Sequence, residues 1–347
     1  MANRSKGTLK SRSEDSGKSK LVYLPQLDIY VRHDRKLRCV CPSEFTFTDI
    51  KPRRNSIKFL AEMWQRFQKA PSLILLDLGD LEQITAGPAL VLFSIVSSMR
   101  IMSGFPSLVE IKLPANRDIR RLIVRSNLLS ALKVGSAQRL DSLMEKGSSF
   151  ASGSDASEHY PKLCGSLTER FGKSHPLLYR AINEVLLNVR HHAYDSSALQ
   201  RLAQTIGNRF WHYSYATNDR VYFAVYDIGQ GIPEGLRNLQ NQFEPDEVLV
   251  EDAMKPGFSR TLMSGRGNGS VAMKRPVAEA TANLAAFNQD DSGSVFGGLP
   301  VMHMVIVSGR AYYRLDAGHT PTATSDAKAE LVGTFIEWTL PLAGEYE

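Results

Sequence analysis

The chain has 347 residues, 43% hydrophobic and 22% charged, with a formal net charge of +6. That balance is the one expected of a soluble protein long enough for two domains with separate cores, and three cysteines are too few for a disulfide framework in a chain of this length. Much of the charge sits in the first twenty residues, where Arg4, Lys6, Lys10, Arg12, Lys18 and Lys20 outweigh Glu14 and Asp15, leaving the remainder nearly neutral.

Residues 1–20 are rich in Ser and Lys and almost free of apolar side chains, so they bury too little surface to offset their ordering entropy and are expected to be a disordered basic tail. No apolar run follows the charged start, as a signal peptide would require. The longest apolar stretch, ALVLFSIVSSM at 89–99, is too short and too interrupted by Ser to span a bilayer, so a cytoplasmic location without membrane contact is expected. Clustered cations can release counterions from nucleic-acid phosphates, but no aromatic platform accompanies them in the tail, and nucleic acid is not an expected partner.

Residues 21–145 read as an α/β unit. Strands are predicted in 36–48, 72–78 (the buried run SLILLDL) and 108–114, and helices in 53–70, 86–102 and 116–134. Cys39 and Cys41 lie two apart in KLRCVC and face one side of a strand; with no His or Cys companions at ligand spacing they read as small buried hydrophobes. Residues 146–158, KGSSFASGSDASE, have the small polar composition of a flexible linker.

From 159 to 347 the pattern changes. Helices open this region, one of them signalled by Ser174 and by Pro176 in its first turn. Strands follow at 209–216 and 221–227, then an irregular stretch over about 237–268, a helix from 270, and strands at 301–308, 311–315 and 334–340. Short strands joined by tight turns predict a mixed sheet with antiparallel pairs, covered by helices on one face.

Three segments carry chemistry. In the helix containing NEVLLNVRHHAY (183–194), Leu178, Ile182, Val185, Leu186, Val189 and Ala193 form the stripe to be buried, while Glu184, Asn188 and His191 form a ridge on another face, with His192 beside it. A solvated face is the plain alternative. The sharper reading is a carboxylate able to activate a nucleophile and a carboxamide able to ligate a hard cation. DIGQGIP (227–233) puts Asp227 at the end of an apolar strand, followed by Gly229 and Gly231, as a fixed acceptor beside approachable backbone; a capped tight turn would look the same. SGRGNGS (264–270) frees backbone N–H groups at Gly265, Gly267 and Gly269 to curl around an anion at a helix start, with Arg266 adding charge. It is neither a P-loop nor a Rossmann fingerprint.

In this order the three segments resemble the N, G1 and G2 boxes of the GHKL ATPases, the superfamily of DNA gyrase, the large heat-shock chaperones, mismatch-repair ATPases, histidine kinases and anti-sigma-factor serine kinases. The closing GTFIEWTLPL, 333–342, is similar to that family's last strand. The resemblance covers roughly 160–345 and implies a Bergerat-type α/β sandwich that binds ATP and Mg²⁺. It also implies roles: Asp227 accepting from the adenine amino group with support from Thr334, Asn188 holding Mg²⁺, Glu184 as general base, and 237–270 as a mobile lid. His191 stands where the family commonly has Lys or Arg before the N-box His, here His192, so phosphate contact at that position is not implied.

The segment LILLDLGDLEQITAGPALVLFSIV resembles STAS domains, the anti-sigma-factor-antagonist fold, more loosely. Ala86 occupies the usual phosphoacceptor position and Thr85 is a weak substitute. Together the resemblances imply an ATP- and Mg²⁺-binding regulatory protein whose STAS-like domain binds another protein, with a homodimer also compatible. The alternatives are a protein serine/threonine kinase of the anti-sigma-factor type and a scaffold with a vestigial nucleotide site. No His-Glu-x-x-x-Pro dimerisation helix precedes the ATPase-like region, which argues against a sensor histidine kinase.

Overall fold

A computed structural model describes residues 21–240, 243–257, 269–280 and 302–342. The basic tail and, within the expected lid, residues 241–242 and 258–268 with Gly265, Arg266 and Gly267 lie outside the described residues. The chain is an α/β protein with several sheets.

The first part begins with a hairpin of β1 (Leu21–Leu24) and β2 (Ile29–Arg32), which pair antiparallel. β3 (Leu37–Val40) and β4 (Glu44–Phe45) precede α1 (Ile50–Lys69); β5 (Ile74–Asp77) and β6 (Gln83–Ile84) precede α2 (Ala86–Ser103). β7 (Val109–Lys112), α3 (Arg117–Arg125), α4 (Leu128–Leu132) and α5 (Ala137–Glu145) complete it. β3, β5 and β7 form a parallel sheet in the order β3-β5-β7, and β4 pairs with β6 in parallel. The single helix expected over 116–134 is two, because Asn127 adopts φ +64 between α3 and α4. Asn tolerates that left-handed conformation better than most residues. Cys39 and Cys41 are buried, as their spacing on one strand face predicts.

The second part holds β8 (Phe150–Gly153), α6 (Ala156–Phe171), α7 (Pro176–Asn188), a π-helical turn (Val189–Ala193), α8 (Gln200–Ile206), β9 (Phe210–Ala216) and β10 (Arg220–Asp227). α9 (Ile232–Gln240), α10 (Asp246–Ala253), α11 (Gly269–Ala280), β11 (His303–Gly309), β12 (Ala311–Asp316), β13 (Thr322–Ser325) and β14 (Leu331–Pro341) follow. Seven strands form one sheet in the order β13-β12-β11-β14-β10-β9-β8. Among the described residues every pairing in it is antiparallel, which corrects the expected mixed sheet.

Two further expectations change. Residues 146–158 are not a flexible linker: β8 lies inside them, all four of its residues buried, and its pairing with β9 makes it an edge strand of the sheet. The stretch 237–268, expected to be irregular, contains the end of α9 and all of α10.

Strand alternation assigns the two faces of the large sheet. On one face Trp338 Nε1 donates to the Met273 carbonyl of α11 at 2.9 Å, and His212 meets His159 of α6 with their Nε2 atoms 3.2 Å apart. On the other face Trp211 Nε1 donates to Ser97 Oγ of α2 at 3.0 Å, and Phe335 meets Phe47 edge-on at 5.4 Å between ring centroids. Helices therefore cover both faces rather than one. α1 adds the Arg53 guanidinium, 3.7 Å from the centre of the Tyr312 ring, and an ion pair from Arg54 to Asp326 at 2.6 Å.

α2 is the centre of this arrangement. It is apolar and long enough to cross a membrane, yet 89% of it is buried inside the fold. A helix apolar on all sides needs partners on all sides, and α2 finds them in α1, α4, α8 and strands β9, β10 and β14. Its Leu90, Val91, Leu92, Phe93, Val96 and Met99 are completely enclosed, each such side chain contributing about 1.5–3 kcal/mol relative to exposure. Arg100, also buried, donates to the carbonyls of Leu132, Val134 and Val109, tying α2 to α4 and β7. The buried apolar residues thus form one continuous core from Leu24 to Leu340.

A shared core predicts shared unfolding. Phe335→Ala removes a fully buried ring at the seam and is expected to cost about 3–5 kcal/mol. In denaturant titration, fluorescence and far-UV circular dichroism should report one coincident transition for wild type and variant; two separated transitions would contradict the shared core.

Candidate functional site

β10 and β14 create the first element of the site. Asp227, the last residue of β10, pairs in register with Thr334, and both side chains fall on the sheet face that α6, α7 and α11 cover. The Asp227 carboxyl is 6% exposed and accepts the Gly229 N–H at 2.9 Å and the Thr334 N–H. Burial pushes its pKa up to about 7, against the opposing pull of those two donors. A carboxyl held this way is a directional acceptor poised near neutrality, the kind of perturbation that clusters at functional sites.

The turn after Asp227 is locked to the helix that bears Glu184 and Asn188. Gln230 N–H donates to the Ala193 carbonyl at 2.8 Å, and Gln230 Nε2 donates to the His192 carbonyl at 2.6 Å. Gly229 approaches so closely that a Cβ there would lie 2.3 Å from the Ala193 oxygen. On the other side, Ser308 Oγ accepts the Ile232 N–H at 2.9 Å and donates to the Gly333 carbonyl at 3.1 Å, enclosing Gly231 between β11 and β14. Gly333 has φ +80, and a Cβ on it would fall 1.9 Å from the Asp227 carbonyl oxygen. Only glycine fits there.

The helix itself departs from its expected form. α7 starts at Pro176 with His175, not Ser174, in the cap position, and its α-geometry stops at Asn188. The next five residues, Val189–Ala193, form a π-helical turn, a feature frequent at functional sites. The apolar stripe is buried as the spacing predicts: Leu178, Ile182, Val185, Leu186, Val189 and Ala193 are all enclosed. Glu184 is half-buried and Asn188, one α-turn on, is exposed. The π-turn re-aims the residues after Asn188, so His191 does not continue the Glu184–Asn188 ridge at α-helical spacing. His191 is exposed, and His192 is half-buried with Nδ1 3.7 Å from Asp195.

The third segment enters at Gly269, the first residue of α11. A Cβ on Gly269 would sit 3.0 Å from Glu184 Oε2, so the start of α11 lies against the Glu184 carboxylate. Ser270 Oγ donates to the Lys255 carbonyl at 2.9 Å and Lys274 Nζ to the Met254 carbonyl at 2.7 Å, holding this helix start to the chain just after α10.

Asp227, Gly229, Gly231 and Thr334 are therefore assembled with the carbonyls of His192 and Ala193, and Glu184 with Gly269. Asn188 lies between these contacts, one α-turn after Glu184 and one π-turn before Ala193. Gln230, Ser308 and Gly333 were not expected as parts of the site. Gly333 directly precedes Thr334 in the closing strand motif, whereas nothing local marks Ser308. Among the described residues no group of three or more His, Cys, Asp or Glu could hold a metal ion by itself, so a cation here would depend on Asn188 and on oxygens of its own ligand. Thr85, at the start of α2, is buried and donates to Thr46 Oγ1 at 3.2 Å. No protein-family model, curated protein or solved structure matches the chain.

Two predictions test this geometry. Gly229→Ala is expected to lower stability by about 1–3 kcal/mol through overpacking, while Gly165→Ala, where a Cβ meets nothing within 4 Å inside α6, should raise it by about 0.5–1 kcal/mol; urea titration compares them. The second concerns pH. The raised folded-state pKa of Asp227 gives a stabilisation present at low pH and lost as pH rises from about 4 to about 7. His159 and His175, pushed down to about 4 by burial, act in the opposite sense, adding stability as pH rises over much of that range. The stability of wild type relative to Asp227→Asn isolates the carboxyl, and it should decline with pH across that window and level off above it.

Proposed function

We propose that the chain is an ATP- and Mg²⁺-binding regulatory protein of the GHKL type, its ATPase-like part coupled to a STAS-like part that engages another protein. The observation that carries this reading is the meeting of the three motif segments. The turn at 227–231 is hydrogen-bonded to the end of the Glu184–Asn188 helix, and Gly269 lies against Glu184. The all-antiparallel sheet gives the reading no added support; it rests on motif identity and on that convergence.

In this reading Asp227 accepts from the adenine amino group, with the Gly229 and Thr334 N–H groups fixing its carboxyl. Gly229 and Gly231 let the turn pack directly on the Ala193 carbonyl and on Ser308 and Gly333, which holds the Asp227 carboxyl in place. Asn188 supplies a carboxamide oxygen to Mg²⁺, a hard cation that prefers oxygen ligands. Bound Mg²⁺ would neutralise phosphate charge. Glu184 is the general base toward a water or a hydroxyl. Gly265, Arg266 and Gly267, to which the resemblance assigns phosphate contact, lie outside the described residues.

The reading includes a coupling route. Phe335 directly follows Thr334 on β14 and points to the opposite face, where it packs on Phe47 and on Gly87 in the first turn of α2. Ligand-dependent shifts of Thr334 would therefore reach α2. Thr85 phosphorylation is not part of this proposal, because that hydroxyl is buried and hydrogen-bonded.

Calorimetric titration with ATP and Mg²⁺ tests the reading. Asp227→Asn should weaken binding at least ~10-fold, and wild-type affinity should rise as pH increases through about 7, since the ionised carboxyl is the better acceptor. Glu184→Gln should keep binding while losing hydrolysis or transfer of phosphate to a partner; transfer to a hydroxyl-bearing protein would identify a kinase, and release of phosphate alone an ATPase. Wild-type binding no tighter than that of Asp227→Asn would reject the proposal and favour a scaffold.

A further inference from the structure

α3 divides cleanly into an inner and an outer face. Ile123 is fully buried, and Ile119 and Leu122 pack against the core. At about 100° per residue, Arg117, Arg120, Arg121, Val124 and Arg125 fall within an arc of about 140° on the opposite side. All five are exposed, Val124 at 51%. Arg117, Arg121 and Arg125 form one row in steps of about 6 Å. Asn116 fixes the start of the helix, its side-chain oxygen accepting the Asp118 N–H at 2.9 Å and the Ile119 N–H at 3.4 Å.

This face belongs to a strongly basic stretch. Residues 112–139 hold seven Lys and Arg against the single acid Asp118, a net of +6, with Lys112, Lys133 and Arg139 exposed on either side of α3 in sequence. Little of the charge on α3 is neutralised within the fold. Arg120 Nε and Nη2 donate to the Pro114 carbonyl at 3.0 and 2.6 Å, which holds the side chain without cancelling its charge. Arg121 meets Asp118 at 3.3 Å, with side chains 69% and 86% exposed, and a pair so open to solvent is weak. Among the described residues neither Arg117 nor Arg125 forms an ion pair.

We propose that the outer face of α3 binds the phosphate backbone of duplex DNA without reading its sequence. The guanidinium is a planar fork that grips phosphate oxygens in pairs, and its pre-organised shape loses little freedom for each hydrogen bond formed. The wide major groove of B-form DNA admits an α-helix, whereas the narrow one of A-form RNA does not. Residues 112–139 contain no Phe, Trp or Tyr. Single strands therefore find no stacking platform there, and a protein partner finds no aromatic anchor. An anionic membrane would need an apolar face to bury, and the one on α3 is committed to the core. Against the expectation drawn from the tail, duplex DNA is thus the occupant that the charge and composition of this face fit. The inference does not depend on the proposed ATP site.

The test is fluorescence anisotropy with the full chain at low salt and labelled DNA duplexes of about 20 base pairs in two unrelated sequences. Both should bind within ~3-fold of each other, and duplex RNA and single-stranded DNA of equal length at least ~5-fold more weakly. Arg117→Gln with Arg121→Gln and Arg125→Gln should lose ~10-fold or more, and the slope of log affinity against log salt should become shallower by about 2–3. Lys51→Gln with Lys58→Gln and Lys69→Gln removes the same charge from exposed positions of α1 and should stay within ~2-fold of wild type. Duplex DNA should also protect Arg117, Arg121 or Arg125 of the wild-type chain from phenylglyoxal, mapped by mass spectrometry, which covers the case in which the glutamine variant unfolds. Absence of duplex binding, an equal loss in the α1 variant, equal binding of RNA or single strands, flotation with phosphatidylserine vesicles without DNA binding, or protection confined to other arginines would each overturn the proposal.

Discussion

The enclosure of α2 is the constraint on which the remaining structure depends. Its side chains, most of them apolar, are buried on all sides, so leaving any one side in water would cost a large share of the free energy of a marginally stable fold. α1 and α4 of the first part and strands β9, β10 and β14 of the second enclose it. The two parts consequently share one core, and the large sheet presents only its other face to α6, α7 and α11. Strand alternation then decides where chemistry can occur. With Trp211 and Phe335 committed to the α2 side, Asp227 and Thr334 fall on the face covered by α7, which carries Glu184 and Asn188, and by α6 and α11.

That placement gives a buried carboxyl a specific environment. An ionised carboxylate in a dry site is unfavourable unless hydrogen bonds compensate it. Asp227 receives two backbone N–H donors, one from its own turn and one from the neighbouring strand, which do not fully offset burial. The balance leaves a buried carboxyl whose pKa is pushed up to about 7. Ser308 and Gly333 keep the surrounding backbone in the conformation this requires, and the π-turn at 189–193 brings two carbonyls to the same place.

Much of this was legible in the sequence, for physical reasons that differ by element. β5 and β10 are short continuous apolar runs bounded by turn residues, and the stripe on α7 follows helical spacing, so local pattern identified them. β8 was not legible: Phe-Ala-Ser-Gly within a Gly/Ser-rich segment has linker composition, and only its long-range pairing with β9 makes it a strand. The hairpin of β1 and β2 and the polar strand β13 are too short to display an alternation. The π-turn after Asn188 has no sequence signature, which is why the ridge was extended to His191. The site residues Asp227, Gly229, Gly231 and Glu184 came from motif chemistry. Ser308 acts through a strand neighbour far away in sequence and could emerge only from the fold.

The central claim is that the three segments make one nucleotide pocket, and a crystal structure with Mg²⁺ and a non-hydrolysable ATP analogue measures it most directly. The account predicts the adenine amino group against the Asp227 carboxyl and the metal against the Asn188 carboxamide. Nucleotide bound elsewhere, or Asn188 and Asp227 contacting unconnected regions of the molecule, would contradict it.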